Sequence, residues 1–341
     1  MNSPQAVEPA PAELIESARR VLGATVDDTA LLAALNSVID GFVAGRSEVR
    51  VPALVRIPAL VVAGAGADPG GALPLCGVAF LLYLGIDILD DLMDGDVTPY
   101  WAPSCAGEAL LVGTALTAAV PQAAIARLPL FDGMAADLQR ILAEGLAEMA
   151  GGQLADLRAF NNASATPEQV ERSVAAKSGG MTAMLARLGA RFANAPPGAI
   201  AAYGEWGAAY GTAEQLRSDC AEVFSDPPGR DLANGAITYL VACFLEAAPE
   251  GSRADAWSLV SRASSDCAAL AALRTAFGTS GALAALQMTC EWYRQQGEAA
   301  LARASPLPLP HQALRSMLRP ATRSGGRASH HESTERTTRS R

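Results

Sequence analysis

The sequence is poor in histidine, in aromatic residues and in paired cysteines. All three histidines lie in the C-terminal region: His311, His330 and His331. The rest of the chain offers no imidazole as a general base or zinc ligand, which argues against histidine-based hydrolases and zinc enzymes. The six cysteines form no CxxC pair, so we interpret them as small buried hydrophobes of a protein in the reducing cytoplasm.

Positive charge is also scarce, since 35 acidic residues outnumber 26 basic ones and leave a net charge of −9. Nucleic acids bind basic surfaces, so we expect no nucleic-acid partner. The N-terminus has no basic start followed by an apolar core, which predicts no secretory signal. Two uncharged runs, 69–86 and 109–126, approach the length of a membrane span. Each contains proline, and we interpret both as buried core helices rather than transmembrane spans.

The apolar half of the sequence is dominated by alanine and leucine, which predicts an all-α protein. Glycine and proline breaks divide residues 12–304 into about ten helices with short connections, a pattern typical of one helical bundle. Residues 1–11 have no clear periodicity and are predicted to be loose. From residue 305 the composition changes, and 305–341 is predicted to be a disordered basic tail rich in proline, serine and arginine.

A dense group of acids follows the apolar run that ends near residue 89. Asp90 and Asp94 are four residues apart and Asp91 and Asp94 three apart, so a helix places these carboxylates on one face. Like charges at the negative end of a helix repel one another, and a bound cation relieves that cost. Oxygen ligands without histidine or thiolate favour Mg²⁺, which often bridges to substrate phosphates. The alternative is an ordinary solvent-exposed helix end.

Isolated polar residues recur downstream in otherwise apolar segments. Gln153 and Asp156 share a helix face beside two glycines. Lys177 lies in a glycine-rich apolar stretch, where a lysine side chain either reaches solvent or binds an anion. Asp219 and Glu222 repeat the three-residue acid spacing. Each of these features taken singly is compatible with ordinary surface or core.

Taken in order, the segments resemble the trans-isoprenyl diphosphate synthase (polyprenyl synthetase) family over roughly residues 30–300. Asp90-Asp91-Leu-Met-Asp94 is similar to the first aspartate-rich motif of that family. The other matching elements are Gly152-Gln153 with Asp156 (GQ-x-x-D), Lys177-Ser178 (Lys-Thr), Gln215 with Asp219 (second aspartate-rich helix) and Gly229-Arg230-Asp231 (GKD).

The resemblance implies a bundle of the isoprenoid-synthase type around a central apolar cavity, and Mg²⁺-dependent ionisation of an allylic prenyl diphosphate. The metal ligands that it implies are Asp90, Asp91, Asp94, Asp219 and Glu222. It assigns Lys177, Arg230 and Gln153 to catalysis, and the following residues to substrate binding: Arg56, Gly85, Ile86, Gln215, Asp156 and Asp231. A homodimer is implied by the resemblance alone.

Gly85 and Ile86 stand where the family has the floor of its chain pocket. Neither is a large aromatic residue, which implies room for a C15 or C20 chain. The alternative is that Gly85 simply allows close helix packing.

The sequence departs from the family at the cations that bind a second diphosphate. Arg56 is kept, but the lysine of GGKxxRP is missing, as is the arginine pair expected in 95–101. Ser218 and Glu222 replace aspartates of the second motif, and Ala236 replaces a lysine. These losses argue against elongation with isopentenyl diphosphate. They favour prenyl transfer to an acceptor without a diphosphate, as in moenomycin-type transferases.

Three other hypotheses stay open at this point. A terpene synthase that cyclises the prenyl cation needs the same ionisation step, so the sequence does not separate cyclisation from transfer. Ordinary chain elongation and a non-catalytic subunit are the remaining alternatives.

Overall fold

The computed structural model of the chain describes residues 8–44, 50–96, 98–131, 133–159, 162–226, 229–249 and 251–319. Within these ranges the chain forms thirteen helices and no strand, which confirms the predicted all-α class. The helices are α1 (Pro11–Thr25), α2 (Thr29–Val43), α3 (Ile57–Gly64), α4 (Leu73–Asp94), α5 (Ala106–Ala126), α6 (Met134–Ala159), α7 (167–192), α8 (Pro197–Val223), α9 (Tyr239–Ala247), α10 (Arg253–Ala263), α11 (Cys267–Thr279), α12 (Ala282–Ala304) and α13 (Pro308–Met317).

The helices are more numerous than the ten or so that the sequence predicts. The difference arises where a helix ends without proline, as between α11 and α12. There Gly281 has a φ of 88°, a left-handed conformation that glycine adopts easily and that ends a helix within one residue. A further single turn, Asp231–Asn234, lies between α8 and α9.

Helix α4 carries the first acidic motif at its C-terminal end. Its body from Leu75 to Gly85 is almost entirely buried, because nearly every residue there is apolar. The helix ends at Gly95, which has a φ of 74° and donates its N–H to the Asp91 carbonyl. The acids therefore occupy the last turns of a core helix.

The buried apolar residues form two clusters. The first joins α1–α6, the second half of α7, the first half of α8, the C-terminal end of α12 and α13. The second joins the first half of α7, the second half of α8 and α9–α12. Helices α7 and α8 pass from one cluster to the other, and both change from apolar to polar at that junction, at Lys177 and Gln215. The junction is where the polar site forms.

The folded region extends beyond the predicted boundary at residue 304. Residues 308–317 form α13, in which Pro310 and Leu314 are buried. The Leu307 N–H donates to the Gly64 carbonyl at 3.0 Å and ties this helix to α3. Two of the prolines that suggest a loose tail, Pro308 and Pro310, lie in the first turn of α13, where a missing N–H costs nothing. Residues 1–7 and 320–341 of the predicted loose ends lie outside the described residues.

Two apolar helices meet the length and composition of a membrane span: Pro69–Asp94 and Ala106–Ala126. Of their most apolar 18-residue windows, 67% and 56% respectively is buried inside the protein. The bent pair α11–α12 passes the same test if it is counted as one span. That none of them crosses a membrane stays a prediction of the sequence.

Helix α13 offers a test of how far the folded region extends. Leu314 is fully buried, whereas Leu309 in the same helix is 59% exposed. We expect Leu314→Ala to lower the free energy of unfolding by about 2–5 kcal/mol because it leaves a cavity in the core. Leu309→Ala is the matched control and should change it by less than about 0.5 kcal/mol. Urea denaturation measures both, and equal effects would mean that α13 does not pack on the bundle.

Candidate active site

A polar cavity of about 110 Å³ lies between the end of α4 and the facing parts of α6, α7 and α8. Its carboxyl groups come from four parts of the chain: Asp90, Asp94, Asp156, Asp219 and Asp231. Lys177 is the one cation among the described residues that line it. The remaining wall is formed by Leu157, Val170, Ser173, Val174, Ser178, Gln215, Asn234, Ala236, Ile237 and Thr238. The cavity therefore combines a group of acids with a partly apolar wall.

Lys177 joins the acids of α4 to those of α6. Its Nζ donates to Asp90 Oδ1 at 3.0 Å and to Asp156 Oδ2 at 3.4 Å. Burial disfavours the ammonium charge, but the two carboxylates outweigh that penalty and raise the pKa of Lys177. Gln153 Nε2 also donates to Asp90 Oδ1, at 2.9 Å. Both polar residues that the sequence places near the first motif therefore hold Asp90.

The position of Lys177 depends on a close contact between α6 and α7. A Cβ atom added at Gly152 would lie 2.6 Å from the Lys177 backbone nitrogen, so only glycine allows this approach. The Ser173 hydroxyl donates to the Gly152 carbonyl at 2.9 Å and fixes the same contact. Lys177 itself lies in a widened turn of α7, Ala175–Gly179, of the kind often found at functional sites.

The second acidic side is a hydrogen-bonded chain on α7 and α8. The Ser178 hydroxyl donates to Gln215 Oε1 at 3.1 Å, and Gln215 Nε2 donates to Asp219 Oδ1 at 2.6 Å. Burial, followed by the nearby Asp231 carboxylate, raises the pKa of Asp219 to about 8. Glu222 does not line the cavity, and its side chain packs against Gly229. Burial and Asp231 raise its pKa to about 7.

The acids of the first motif are also destabilised in their charged form. Burial, followed by Asp90, raises the pKa of Asp94 to about 6. Burial also raises the pKa of Asp91, and a hydrogen bond from Thr98 opposes that shift. Asp91 Oδ2 is buried and has no hydrogen-bond partner. An unpaired buried carboxylate oxygen is costly unless a cation reaches it.

The donor set fits a hard divalent cation that the protein holds only in part. All candidate ligands are carboxylate oxygens, the type that Mg²⁺ prefers. Across the described ranges no three acidic, histidine or cysteine side chains converge closely enough to hold a metal by themselves. Mg²⁺ typically binds through one or two carboxylates and completes its shell with water and substrate phosphates. Asp90 and Asp94 on α4 and Asp219 on α8 line the same cavity and are the candidates for such ligands.

Besides Glu222, six predicted site residues do not line the cavity: Asp91, Gln153, Arg56, Arg230, Gly85 and Ile86. The Arg56 guanidinium donates to the Pro9 and Val51 carbonyls, both at 3.4 Å. Arg230 forms an ion pair with Asp96 at 2.9 Å. Gly85 packs against α5, where an added Cβ would lie 2.7 Å from Leu116 Cβ. This contact supports the helix-packing alternative for Gly85, and the neighbouring Ile86 is partly buried against the first cluster.

The sequence did not single out several residues that the fold brings to the site. Asp96, Asn234, Ser173 and Thr238 belong to this group. Asp96 follows the glycine that ends α4. An acidic residue directly after the first aspartate-rich motif is a sequence feature that could have identified it. The other three are ordinary polar residues whose local sequence carries no mark of function.

Known proteins share this fold. Over 92% of the chain, the structure superimposes on 95% of geranylgeranyl pyrophosphate synthetase from Pyrococcus horikoshii, with a TM-score of 0.77 and 20% identity. A polyprenyl synthase from Caulobacter crescentus, complexed with calcium and isoprenyl diphosphate, gives a TM-score of 0.74 at 19% identity, over 92% of this chain and 98% of that one. Likeness at this identity establishes the fold: an all-helical bundle of the isoprenyl synthase type.

Sequence comparison then identifies the family. Residues 74–276 match the polyprenyl synthetase family model, and the chain belongs to that family. It is 28% identical over 221 residues to a short chain isoprenyl diphosphate synthase of Methanothermobacter thermautotrophicus, covering 62% of this chain and 66% of the relative. It is 29% identical over 208 residues to a geranylgeranyl diphosphate synthase of Mycobacterium tuberculosis, covering 57% and 59%. The matches thus span 66% and 59% of these relatives, less than two thirds of each.

Two adjacent glycines in α6 test the packing that places Lys177. We expect Gly152→Ala to lower the free energy of unfolding by about 1–3 kcal/mol, because its Cβ overlaps α7. At Gly151 an added Cβ meets nothing within 4 Å. Gly151→Ala should therefore raise the same quantity by about 0.5–1 kcal/mol. Chemical denaturation measures both, and stabilisation by Gly152→Ala would contradict the contact.

Proposed function

We propose that this chain ionises an allylic prenyl diphosphate in a Mg²⁺-dependent reaction and transfers the prenyl group to an acceptor without a diphosphate. One observation carries the proposal: carboxyl groups of the α4 and α8 motifs face one cavity that contains a single lysine, Lys177. Family membership supports prenyl transfer in general. The length of the allylic chain, C15 or C20, is part of the proposal.

We assign different roles in ionisation to the residues that line the cavity and to Gln153 beside it. Mg²⁺, held by Asp90 and Asp94 on one side and Asp219 on the other, would stabilise the charge of the departing diphosphate. Lys177 supplies a second positive charge to the same leaving group. Gln153 fixes the orientation of Asp90 through its 2.9 Å hydrogen bond. Val170, Val174 and Ile237 keep part of the wall apolar, which protects a carbocation from water.

The cations around the cavity favour an acceptor without a diphosphate. Lys177 already faces Asp90 and Asp156, and Arg230 faces Asp96. Arg56 is bound to backbone carbonyls instead. Ala236, which replaces the lysine of the family, lies in the cavity wall and adds no charge. In the described parts of the chain, a second diphosphate would therefore find no unpaired cation in the wall.

Ordinary elongation is the second candidate. Both curated relatives are named as isoprenyl or geranylgeranyl diphosphate synthases, and this favours isopentenyl diphosphate as acceptor. The size of the cavity does not decide between the two. At about 110 Å³ it is below the roughly 300–1,000 Å³ of typical ligand pockets for either substrate pair.

Assembly and location complete the proposal. We propose a homodimer, as the family resemblance implies, which light scattering of the purified protein tests. All six cysteines are free thiols, which supports a reducing, cytoplasmic location.

The identity of the acceptor is testable with the purified protein. Farnesyl or geranylgeranyl diphosphate with Mg²⁺ should release pyrophosphate faster when a hydroxyl-bearing acceptor is added than when isopentenyl diphosphate is added. The reason is the missing second set of cations. Pyrophosphate release and extracted products are measured together. An elongated diphosphate product would support the second candidate, and a hydrocarbon formed from the allylic substrate alone would indicate cyclisation. No release under any condition would indicate a non-catalytic subunit.

The proposed role of Asp90 as a metal ligand is testable by substitution. We expect Asp90→Ala to lower Mg²⁺-dependent pyrophosphate release about a hundredfold or more, because the ligand and the partner of Lys177 are lost together. Asp40→Ala on α2 is the matched control, since Asp40 is an exposed acid paired with Arg19 and does not line the cavity. Far-ultraviolet circular dichroism checks that both variants stay helical. Turnover retained by Asp90→Ala would refute the assignment.

A further inference from the structure

Asp96 connects the end of α4 to the opposite wall of the cavity. Its Oδ1 atom accepts from Arg230 Nη1 at 2.9 Å, and its Oδ2 atom accepts from Asn234 Nδ2 at 3.2 Å. Its own N–H donates to the Asp91 carbonyl at 2.8 Å, so the residue is anchored to the helix end. Both carboxylate oxygens of Asp96 therefore contact side chains of one segment that is distant in the sequence, through Arg230 and Asn234.

The segment that Asp96 holds is a wall of the site. Asp231, Asn234, Ala236, Ile237 and Thr238 all line the cavity. The segment follows the end of α8 and contains a single helical turn, whose N–H groups at Asn234 and Ala236 donate to carbonyls of the same segment. A wall with so little regular structure depends on side-chain contacts for its distance from α4.

Electrostatics explains why Asp96 needs this pairing. The Asp96 carboxylate lies close enough to Asp91 and Asp94 to disfavour their charged forms. A further acid beside the motif is unfavourable unless cationic or polar groups offset it. Arg230 and Asn234 are those groups, and the side chain of Asp96 is only 23% exposed. The same contact explains why Arg230 does not face the cavity.

We propose that Asp96 is a positioning residue that clamps the 229–238 wall to the end of α4 and so sets the width of the diphosphate site. It acts through Arg230 and Asn234, and it does not itself bind the metal. The consequence for catalysis rests on the proposed function. The clamp itself is a property of the folded chain and is testable without substrate.

Hydrogen exchange tests the clamp in the full chain without ligand. We expect Asp96→Asn to speed amide exchange at Asn234 and Ala236 about threefold to tenfold, as the loss of a partly exposed ion pair and its hydrogen bond predicts. Asp40→Asn is the control, because it removes an ion pair between α1 and α2, with Arg19, and should leave these amides unchanged. Exchange equal to that of the wild type in Asp96→Asn would overturn the proposal.

A second variant separates the clamp from a general loss of folding. Arg230→Gln should give a similar increase at the same amides, and the double variant should exchange no faster than the faster single variant. Additive increases would mean that the two residues act independently and would also overturn the clamp. If Asp96→Asn does not fold, Arg230→Gln alone decides by the same readout.

Kinetics then links the clamp to the reaction. In Asp96→Asn we expect the KM for the prenyl diphosphate to rise several-fold more than kcat falls, because the wall no longer holds its distance. Exchange that responds in a chain releasing no pyrophosphate would support the clamp and count against the proposed function. Unchanged exchange together with normal turnover would overturn the clamp and would leave the proposed function supported.

Discussion

The site depends on one ionic contact, the Lys177 ammonium between Asp90 and Asp156. Without it, the end of α4 would bring its carboxylates towards those of α6 with no charge between them. The three side chains come from three helices, so the contact also fixes how those helices meet. Gln153 extends this network through its hydrogen bond to Asp90. The chain Ser178–Gln215–Asp219 is a separate hydrogen-bonded group on the neighbouring residue of α7 and on α8. Packing and charge therefore specify the same arrangement.

That contact is possible only because the backbones approach closely. Gly152 lets α6 lie against α7 at the level of Lys177, and the widened turn at Ala175–Gly179 directs the lysine towards α4. The polar junction also lies between two apolar clusters, and Val170, Val174 and Ile237 of the second cluster line it. Burial of apolar side chains in the two clusters supplies most of the hydrophobic stabilisation. This stabilisation offsets the cost of burying Asp94 and Asp219, whose pKa values are raised.

Local pattern predicted the parts of the site that are local. The acids at the end of α4, the Gln153–Asp156 face and Lys177 in its glycine-rich stretch were all visible in spacing, and the fold places them together. Contacts between distant segments were not visible. Asp96 and Asn234 are 138 residues apart, and no periodicity connects them. The start of α13 was hidden for another reason, because Pro308 and Pro310 are breakers inside a helix but tolerated in its first turn.

The charges in the cavity also limit what can enter it. A bare diphosphate would meet five carboxyl groups and one lysine, so its own charge opposes binding unless divalent cations enter with it. Such cations would be drawn to the oxygens of Asp90, Asp94 and Asp219 and shared with the phosphates. A second diphosphate would need a second set of positive charges, and Arg230, its one arginine candidate beside the wall, is held by Asp96. An acceptor that brings no phosphate avoids this cost, which is the electrostatic reason for preferring a hydroxyl-bearing acceptor over isopentenyl diphosphate.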